Sequence, residues 1–138
     1  MSQLKITNLN KSFGETRVLK DINLEINSGE FIVFVGPSGC GKSTLLNIMG
    51  LIDEPTEGTV SLAGEPITGY NGKQTARFRN EQLGFIFQSF HLINDLSVVD
   101  NVELPLLYRK VGSKERRRLA LEALAHVGLS NRATHFPN

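Results

Sequence analysis

The residues best suited to chemistry lie between positions 36 and 44, where the sequence reads GPSGCGKST. This stretch matches the pattern G-x-x-x-x-G-K-[ST] at every fixed position. Gly36, Gly39 and Gly41 allow backbone conformations that a side chain would forbid, so N–H groups can close on phosphate oxygens. A helix starting behind them adds partial positive charge and unpaired N–H donors. The pattern predicts a phosphate-binding loop. The alternative is a glycine-rich turn without a ligand.

Several side chains of this loop have predicted roles. Lys42 can bridge the β- and γ-phosphates of a nucleoside triphosphate, and the Ser43 hydroxyl can bind Mg²⁺. Lys42 is therefore a predicted catalytic residue and Ser43 a predicted metal ligand. We expect Ser38, Cys40 and Thr44 to line the same nucleotide site as the glycines. Cys40 has no evident histidine partner, so we interpret it as an oxidisable loop residue and not as a catalytic thiol.

Composition narrows the class of protein. The chain has 138 residues, about one domain, and its 40% hydrophobic and 21% charged residues argue against disorder. A net charge of +1 gives no reason to expect nucleic acid, and we interpret the basic run KERRR (residues 114–118) as a solvated helix face. With a single cysteine, we expect a cytosolic protein without intramolecular disulfides. The N-terminus lacks an apolar signal core and no apolar run could span a bilayer, so any membrane connection should come through a partner.

The hydrophobic pattern predicts the elements around the loop. Residues 1–30 alternate as strands do, with Leu4, Ile6 and Leu9 on one face. The apolar runs at residues 31–35 and 83–87 predict strands buried on both faces, as in an α/β core. Further predictions are a strand at 59–63 and helices at 43–49, 73–81, 98–108 and 113–128, followed by a short turn of helix. The helix at 98–108 should start at a Ser97 cap and kink or break at Pro105, and the next should bury Leu119, Leu121, Leu124 and Val127.

Taken together, these segments resemble the N-terminal part of the ATP-binding subunit of an ABC transporter. The resemblance is carried by five stretches in family order over nearly the whole chain: LKITNLNKSFG, VLKDINLEINSGEFIVFVGPSGCGKSTLLNIMGLIDEPTEGTVSLAG, LGFIFQSFHLI, LSVVDNVELPL and the tail before Asn138. The stretch FRNEQLGFIFQSFHLINDLSVVDNVELPL is most similar to the branch that serves lipoprotein release, macrolide export and related peptide efflux. The resemblance implies a truncated α/β fold. Its parts would be a P-loop NTPase core (residues 31–55 and 82–90), an antiparallel β subdomain (1–30 and 56–70) and the start of a helical subdomain (91–138).

The resemblance also implies roles for residues outside the loop. Phe13 falls where the family places an aromatic residue that stacks on adenine, and Val18 would line the same site. Without the resemblance, Phe13 would be interpreted as a core aromatic. Gln88 matches the glutamine of the family's Q-loop, whose amide oxygen reaches Mg²⁺ or the attacking water, so we expect it to be catalytic and a metal ligand. Its position at the carboxyl end of a predicted strand is where α/β proteins bind ligands.

The function implied by the resemblance is ATP binding and hydrolysis coupled to export. ATP and Mg²⁺ would be the cofactors, and a second copy of the subunit and transmembrane permease subunits the partners. The permease would be driven through the segment from Gln88 to about Tyr108. The protein would be cytoplasmic, peripheral at the inner face of the membrane, without a nucleic acid partner. Alternatives are a soluble ABC-type ATPase acting on nucleic acid or ribosomes, a non-hydrolysing nucleotide-binding or dimerising module and, with less support, a small-molecule kinase.

Family members also carry motifs that residues 1–138 do not. These are a Leu-Ser-Gly-Gly-Gln signature, an apolar strand ending in Asp-Glu, and a switch histidine. Hydrolysis of ATP needs an oriented water and charge stabilisation around the γ-phosphate, which the loop and Gln88 supply only in part. We therefore expect a piece of a longer domain that binds ATP but does not turn it over by itself.

Overall fold

A computed structural model describes residues 2–138 as two compact units, and Met1 lies outside this range. The first unit ends at Leu83, and the second comprises Gly84–Asn138. Within the described residues, the first unit holds an antiparallel sheet and two α-helices, and the second holds two α-helices and a 3₁₀ helix. None of these helices has the length and apolar character that crossing a bilayer requires.

The sheet of the first unit confirms the predicted N-terminal β region. Its strands are β1 (Ser2–Phe13), β2 (Thr16–Asn27), β3 (Glu57–Leu62) and β4 (Glu65–Pro66). They pair antiparallel in the order β2-β1-β3-β4. Leu4, Ile6 and Leu9 are buried, as their alternation predicts, and form the centre of the core.

Strand β3 passes close to β1 at a point where β1 is irregular. The β1–β3 register shifts between Thr7 and Asn10, and Asn8 within this interval has a φ of 49°. Gly58 of β3 has a φ of 97°, and a Cβ atom there would lie 2.5 Å from the carbonyl oxygen of Asn8. Since both the dihedral and the space exclude a side chain, this position requires glycine.

Two helices complete the first unit. Helix α1 (Lys42–Met49) has Gly50 as its C-cap residue. Helix α2 (Gly72–Gln82) has Asn71 as its N-cap residue, which forms a capping box with Gln74. Both helices agree within one residue with the sequence prediction. Leu45 and Ile48 of α1 are buried in the same core as the sheet residues, so the sheet fixes the helix behind the glycine-rich loop.

The prediction of two core strands is wrong for the described residues. Residues 31–35 and 83–87 form no strand, and Phe31 and Val33 are 90% and 64% exposed. Ile86 is also fully exposed. A strand forms only when a neighbour completes its ladder of hydrogen bonds, and no described segment runs beside these residues as a partner strand.

The second unit contains α3 (Val98–Tyr108), α4 (Ser113–His126) and a 3₁₀ helix (Ser130–Arg132). Ser97 caps α3 as predicted, by accepting a hydrogen bond from the backbone N–H of Asp100. Pro105 does not break the helix, which continues to Tyr108. The short helical turn predicted near the end of the chain corresponds to the 3₁₀ helix.

The buried face of α4 is narrower than its leucines predict. Ala120 and Leu124 are buried with Val99 and Ala133, whereas Leu121 and Val127 are exposed and Leu119 is half-buried. Residues four apart lie on one stripe of a helix, and only this stripe is covered. The prediction was therefore right for Leu124 and wrong for Leu121 and Val127.

The basic run KERRR is not a purely solvated face. Arg117 contacts Asp100 at 3.0 Å and Glu103 at 3.4 Å, both on α3. Arg118 instead pairs with Glu115 and Glu122 on its own helix. Part of the run thus joins two helices.

Candidate functional site

The glycine-rich loop leads into α1 with its N–H donors available. Gly41 is the N-cap residue, with a φ of 100°, and no side chain caps the helix. The first intrahelical bond runs from the N–H of Leu45 to the carbonyl oxygen of Gly41 at 2.9 Å. The backbone N–H groups of Lys42, Ser43 and Thr44 have no partner within the helix. Such a helix start is a binding site for an anion, above all for phosphate.

Lys42 places a positive charge inside this loop. Its Nζ atom donates hydrogen bonds to the carbonyl oxygens of Gly36 and Pro37, the latter at 3.0 Å. It also lies 3.6 Å from Sγ of Cys40. The loop therefore surrounds an ammonium group, which can bind phosphate as a point charge.

Strand β2 supports the loop from behind. A Cβ atom on Gly41 would lie 2.9 Å from Cδ2 of Leu19 and 3.3 Å from Cγ1 of Val18. Val18, one of the predicted nucleotide-binding residues, thus lies directly against the loop. The positive φ and close neighbours of Gly41 explain why glycine is required at the last position before the lysine.

The remaining loop residues are open to a ligand. Ser38, Cys40 and Ser43 are exposed and Thr44 is half-buried, and Cys40 is a free thiol. Among the described residues, no group of three or more His, Cys, Asp or Glu side chains could hold a metal ion. The Ser43 hydroxyl is an oxygen donor of the kind that Mg²⁺ accepts as a ligand.

The chain contains one Asp-Glu pair, Asp53-Glu54, but it does not form the family's catalytic strand end. It follows α1 in an irregular segment. Asp53 accepts a hydrogen bond from Nζ of Lys11 at 3.1 Å, and the carbonyl oxygen of Glu54 accepts another at 2.7 Å. These contacts hold the segment against β1, so the Asp53-Glu54 pair has a structural role.

Phe13 has an open ring at the end of β1. It pairs with Thr16 across the hairpin, and its side chain is 52% exposed. Nζ of Lys11 lies 5.0 Å from the ring centroid. The interpretation of Phe13 as a core aromatic is therefore wrong, while its stacking on adenine stays a prediction.

Gln88 belongs to the second unit, in a turn bounded by aromatic rings. It is exposed, and the ring of Phe87 before it lies 4.5 Å from the ring of His91 after it. Phe85 stacks on Phe87 at 5.5 Å. The predicted strand before Gln88 is not formed, so the inference from strand position does not apply, and its proposed role stays a prediction from the resemblance.

One residue near this turn was missed by sequence reasoning. Asn101 of α3 exchanges two hydrogen bonds with the backbone of Ile93, at 2.9 and 3.0 Å. An asparagine in a first helical turn gives no signal of such a contact, because the partner is determined by the path of the preceding loop.

Next to Asn101 in α3, the Ser97 hydroxyl and the Arg117 guanidinium hold the pKa of Asp100 below its usual range.

Comparison with known proteins identifies the family of the chain. The model of the ABC transporter family matches residues 19–138. The lipoprotein-releasing system ATP-binding protein LolD of Bacteroides thetaiotaomicron is 46% identical over 98% of the chain. The macrolide export ATP-binding/permease protein MacB of Pectobacterium atrosepticum is 44% identical over 99% of the chain. The chain spans 62% of the length of the former relative and 22% of the latter.

Solved structures agree with this assignment. The dimeric ATP-binding cassette MJ0796 bound to ADP and Pi superposes with a TM-score of 0.88 at 40% identity, covering 98% of the chain and 62% of that structure. A second dimeric structure of MJ0796 superposes with a TM-score of 0.89. Together with the glycine-rich pattern of residues 36–44, these matches show that the chain belongs to the ABC transporter family, as part of an ATP-binding cassette.

Proposed function

We propose that the chain is part of the ATP-binding subunit of an exporter, in which ATP binding and hydrolysis drive transport through partner transmembrane subunits. The observation that carries this proposal is the loop at residues 36–44, where Nζ of Lys42 binds the carbonyl oxygen of Pro37 and no side chain caps the helix that follows. The names of relatives that release lipoproteins and export macrolides support an export role. The substrate would be selected by the transmembrane partner.

In this proposal, the N–H groups at the start of α1 bind the β-phosphate and Lys42 binds the β- and γ-phosphates. Mg²⁺, when bound, neutralises the charge that develops on the phosphates during transfer. Ser43 would hold that ion, and Gln88 would add its amide oxygen. The loop residues Ser38, Cys40 and Thr44 would complete the phosphate site.

The adenine base would lie at the β2 side of the loop. Val18 contacts the position of Gly41, and Phe13 offers an exposed ring at the hairpin that leads into the same strand. An aromatic face can stack on a base with little dependence on further contacts. We propose Phe13 as the stacking residue and Val18 as part of the adenine pocket.

The partners in this proposal are a second copy of the subunit and a permease. The dimeric state of the MJ0796 structures supports the second copy. In the second unit, the segment from Gln88 to Tyr108 exposes large apolar side chains, which support a protein-binding role: Phe90, Leu92, Ile93, Leu107 and Tyr108. We propose that the permease binds there, with the subunit at the cytoplasmic face of the membrane.

Replacement of Lys42 tests the proposal directly. Lys42→Ala should lower ATP affinity about a hundredfold or more, because charge-assisted hydrogen bonds to phosphate are lost. Isothermal titration calorimetry with ATP and Mg²⁺ measures the affinity, and circular dichroism checks the fold. Lys20→Ala, an exposed lysine on β2, is the matched control and should bind as the unmodified chain does. Unchanged affinity in Lys42→Ala would overturn the assignment.

A further inference from the structure

Asn101 joins the loop after Gln88 to the first turns of α3. Its Oδ1 atom accepts a hydrogen bond from the N–H of Ile93 at 2.9 Å, and Nδ2 donates to the carbonyl oxygen of Ile93 at 3.0 Å. The carbonyl oxygens of Leu96 and Ser97 lie 3.2 and 3.0 Å from the same Nδ2 atom. One side chain therefore binds both ends of the segment at 93–97.

This geometry requires a primary amide. The backbone of Ile93 offers both an N–H donor and a carbonyl acceptor. The Asn101 side chain accepts from the N–H through Oδ1 and donates to the carbonyl through Nδ2, as the backbone of a neighbouring strand would. Aspartate could accept the first hydrogen bond but could not donate to the carbonyl groups, and an aliphatic residue could do neither. Position 101 thus needs a side chain that both donates and accepts a hydrogen bond.

The first turn of α3, to which Asn101 binds the loop, is itself held in place. The N–H groups of Val98 and Val99 donate to the carbonyl oxygens of His135 and Ala133, at 2.8 and 2.9 Å. Asp100, next to Asn101, forms an ion pair with Arg117 of α4 at 3.0 Å. The first turn of α3 is therefore held from two other segments of the unit, and Ile93 is held against it.

The stretch between Gln88 and this anchor is short and folded on itself. Ser89, Phe90, His91 and Leu92 separate Gln88 from Ile93, and His91 has a φ of 52°. The contact between the rings of Phe87 and His91 closes the turn around Gln88. A fixed Ile93 restricts this short turn and hence the positions that the Gln88 side chain can sample.

We propose that Asn101 is a positioning residue, which anchors Ile93 and so holds the turn that carries Gln88. The inference rests on the proposed function, in which Gln88 contributes to ATP hydrolysis. Asn101 itself touches neither nucleotide nor metal ion. Its effect on the reaction passes through the backbone from Ile93 to Gln88.

The test uses the natural full-length protein with its membrane partner. In Asn101→Ala, the amide of Ile93 should lose protection from hydrogen exchange by roughly fivefold, because one hydrogen bond is removed. We expect kcat for ATP hydrolysis to fall by a similar factor, roughly fivefold, with unchanged ATP affinity. Turnover is expressed per bound nucleotide, so that unfolded protein does not count. Asn101→Asp should lower kcat as much, and Asn94→Ala, an exposed asparagine in the same loop, should have no effect.

A double-mutant cycle with Gln88→Ala separates positioning from a merely structural role. If Asn101 acts through Gln88, adding Asn101→Ala to Gln88→Ala should lower kcat less than about twofold further. Independent multiplication of the two effects, or normal kcat in Asn101→Ala, would overturn the inference. So would normal kcat in Gln88→Ala, since no group would then need positioning. The proposed nucleotide binding fails separately, and only if Lys42→Ala retains ATP affinity.

Discussion

Gly41 and Gly58 both have positive φ values, but different neighbours surround them. At Gly41 the nearest atoms to an added Cβ belong to the side chains of Leu19 and Val18, which can shift by a few tenths of an ångström. At Gly58 they belong to the backbone of Asn8 and Leu9, at 2.5 to 2.7 Å, and cannot shift without moving β1. Gly58 is therefore the less replaceable of the two for stability.

Gly58→Ala should lower the free energy of unfolding by about 1–3 kcal/mol or more, because strain in the dihedral adds to the clash with β1. Gly69→Ala is the matched control, since Gly69 has a φ of 95° but no atom within 4 Å of an added Cβ. Urea denaturation of the two variants isolates the contribution of the close contact. Equal losses would show that strand β1 moves away at no cost.

At the scale of elements, α3 and α4 are joined by charge as well as by their small apolar core. Glu103 of α3 is only 9% exposed and lies 3.4 Å from Arg117 and 3.9 Å from Arg116. A carboxylate this deeply buried needs a cation beside it, so loss of one partner costs more than the pair contributes. Asp100 adds a second, more exposed contact to Arg117.

The lowered pKa of Asp100 makes this packing sensitive to acid. The folded state favours the carboxylate, so its stabilising contribution is present above the unfolded pKa of about 3.9 and is lost as pH falls through the lower folded value. The unmodified chain should therefore lose stability more steeply below about pH 4 than Asp100→Asn does. Thermal midpoints measured from pH 7 to pH 3 test this. Asp95→Asn, an exposed residue outside the ion pairs, should follow the unmodified chain, and identical slopes for all three would contradict the prediction.

Elements that depend on neighbouring residues could be predicted, and those that depend on distant ones could not. Ser97 and Gly50 mark helix ends by local caps, so α1 and α3 agree closely with their predictions. The strand at residues 31–35 needs partners far away in sequence, and the described chain does not supply them. The ion pair of Arg117 with α3 depends on how two helices pack, which their separate patterns do not contain.

At the scale of the whole molecule, the chain holds the nucleotide loop in one unit and Gln88 in the other. The phosphate-binding role of the loop stays a prediction, and it could be made from the sequence because its pattern lies within nine consecutive residues. The support of Gly41 by Val18 could not, since it depends on how β2 packs behind α1. The chain also spans only 62% of the length of its LolD relative, so hydrolysis and transport stay proposals.

Residues 1–138 alone should bind ATP and hydrolyse it negligibly. The loop supplies phosphate contacts, but no Asp-Glu strand end orients a water within these residues. Phosphate release measured with saturating ATP and Mg²⁺ should equal that of Lys42→Ala, whereas the natural full-length protein should show turnover that depends on Lys42. Turnover of the 138-residue chain at the rate of the longer protein would contradict this.

The two hydrogen bonds from the start of α3 to residues 133 and 135 impose an order of events during synthesis. Val98 and Val99 leave the ribosome more than thirty residues before their acceptors, Ala133 and His135. Residues up to Leu83 can form their sheet while the later residues are still being translated, since domains generally fold as units from the N-terminus. The first turn of α3, with the anchor for the Gln88 loop, is completed only after residue 135 has been released. The loop at residues 36–44 can therefore take shape earlier in translation than the segment proposed to position Gln88.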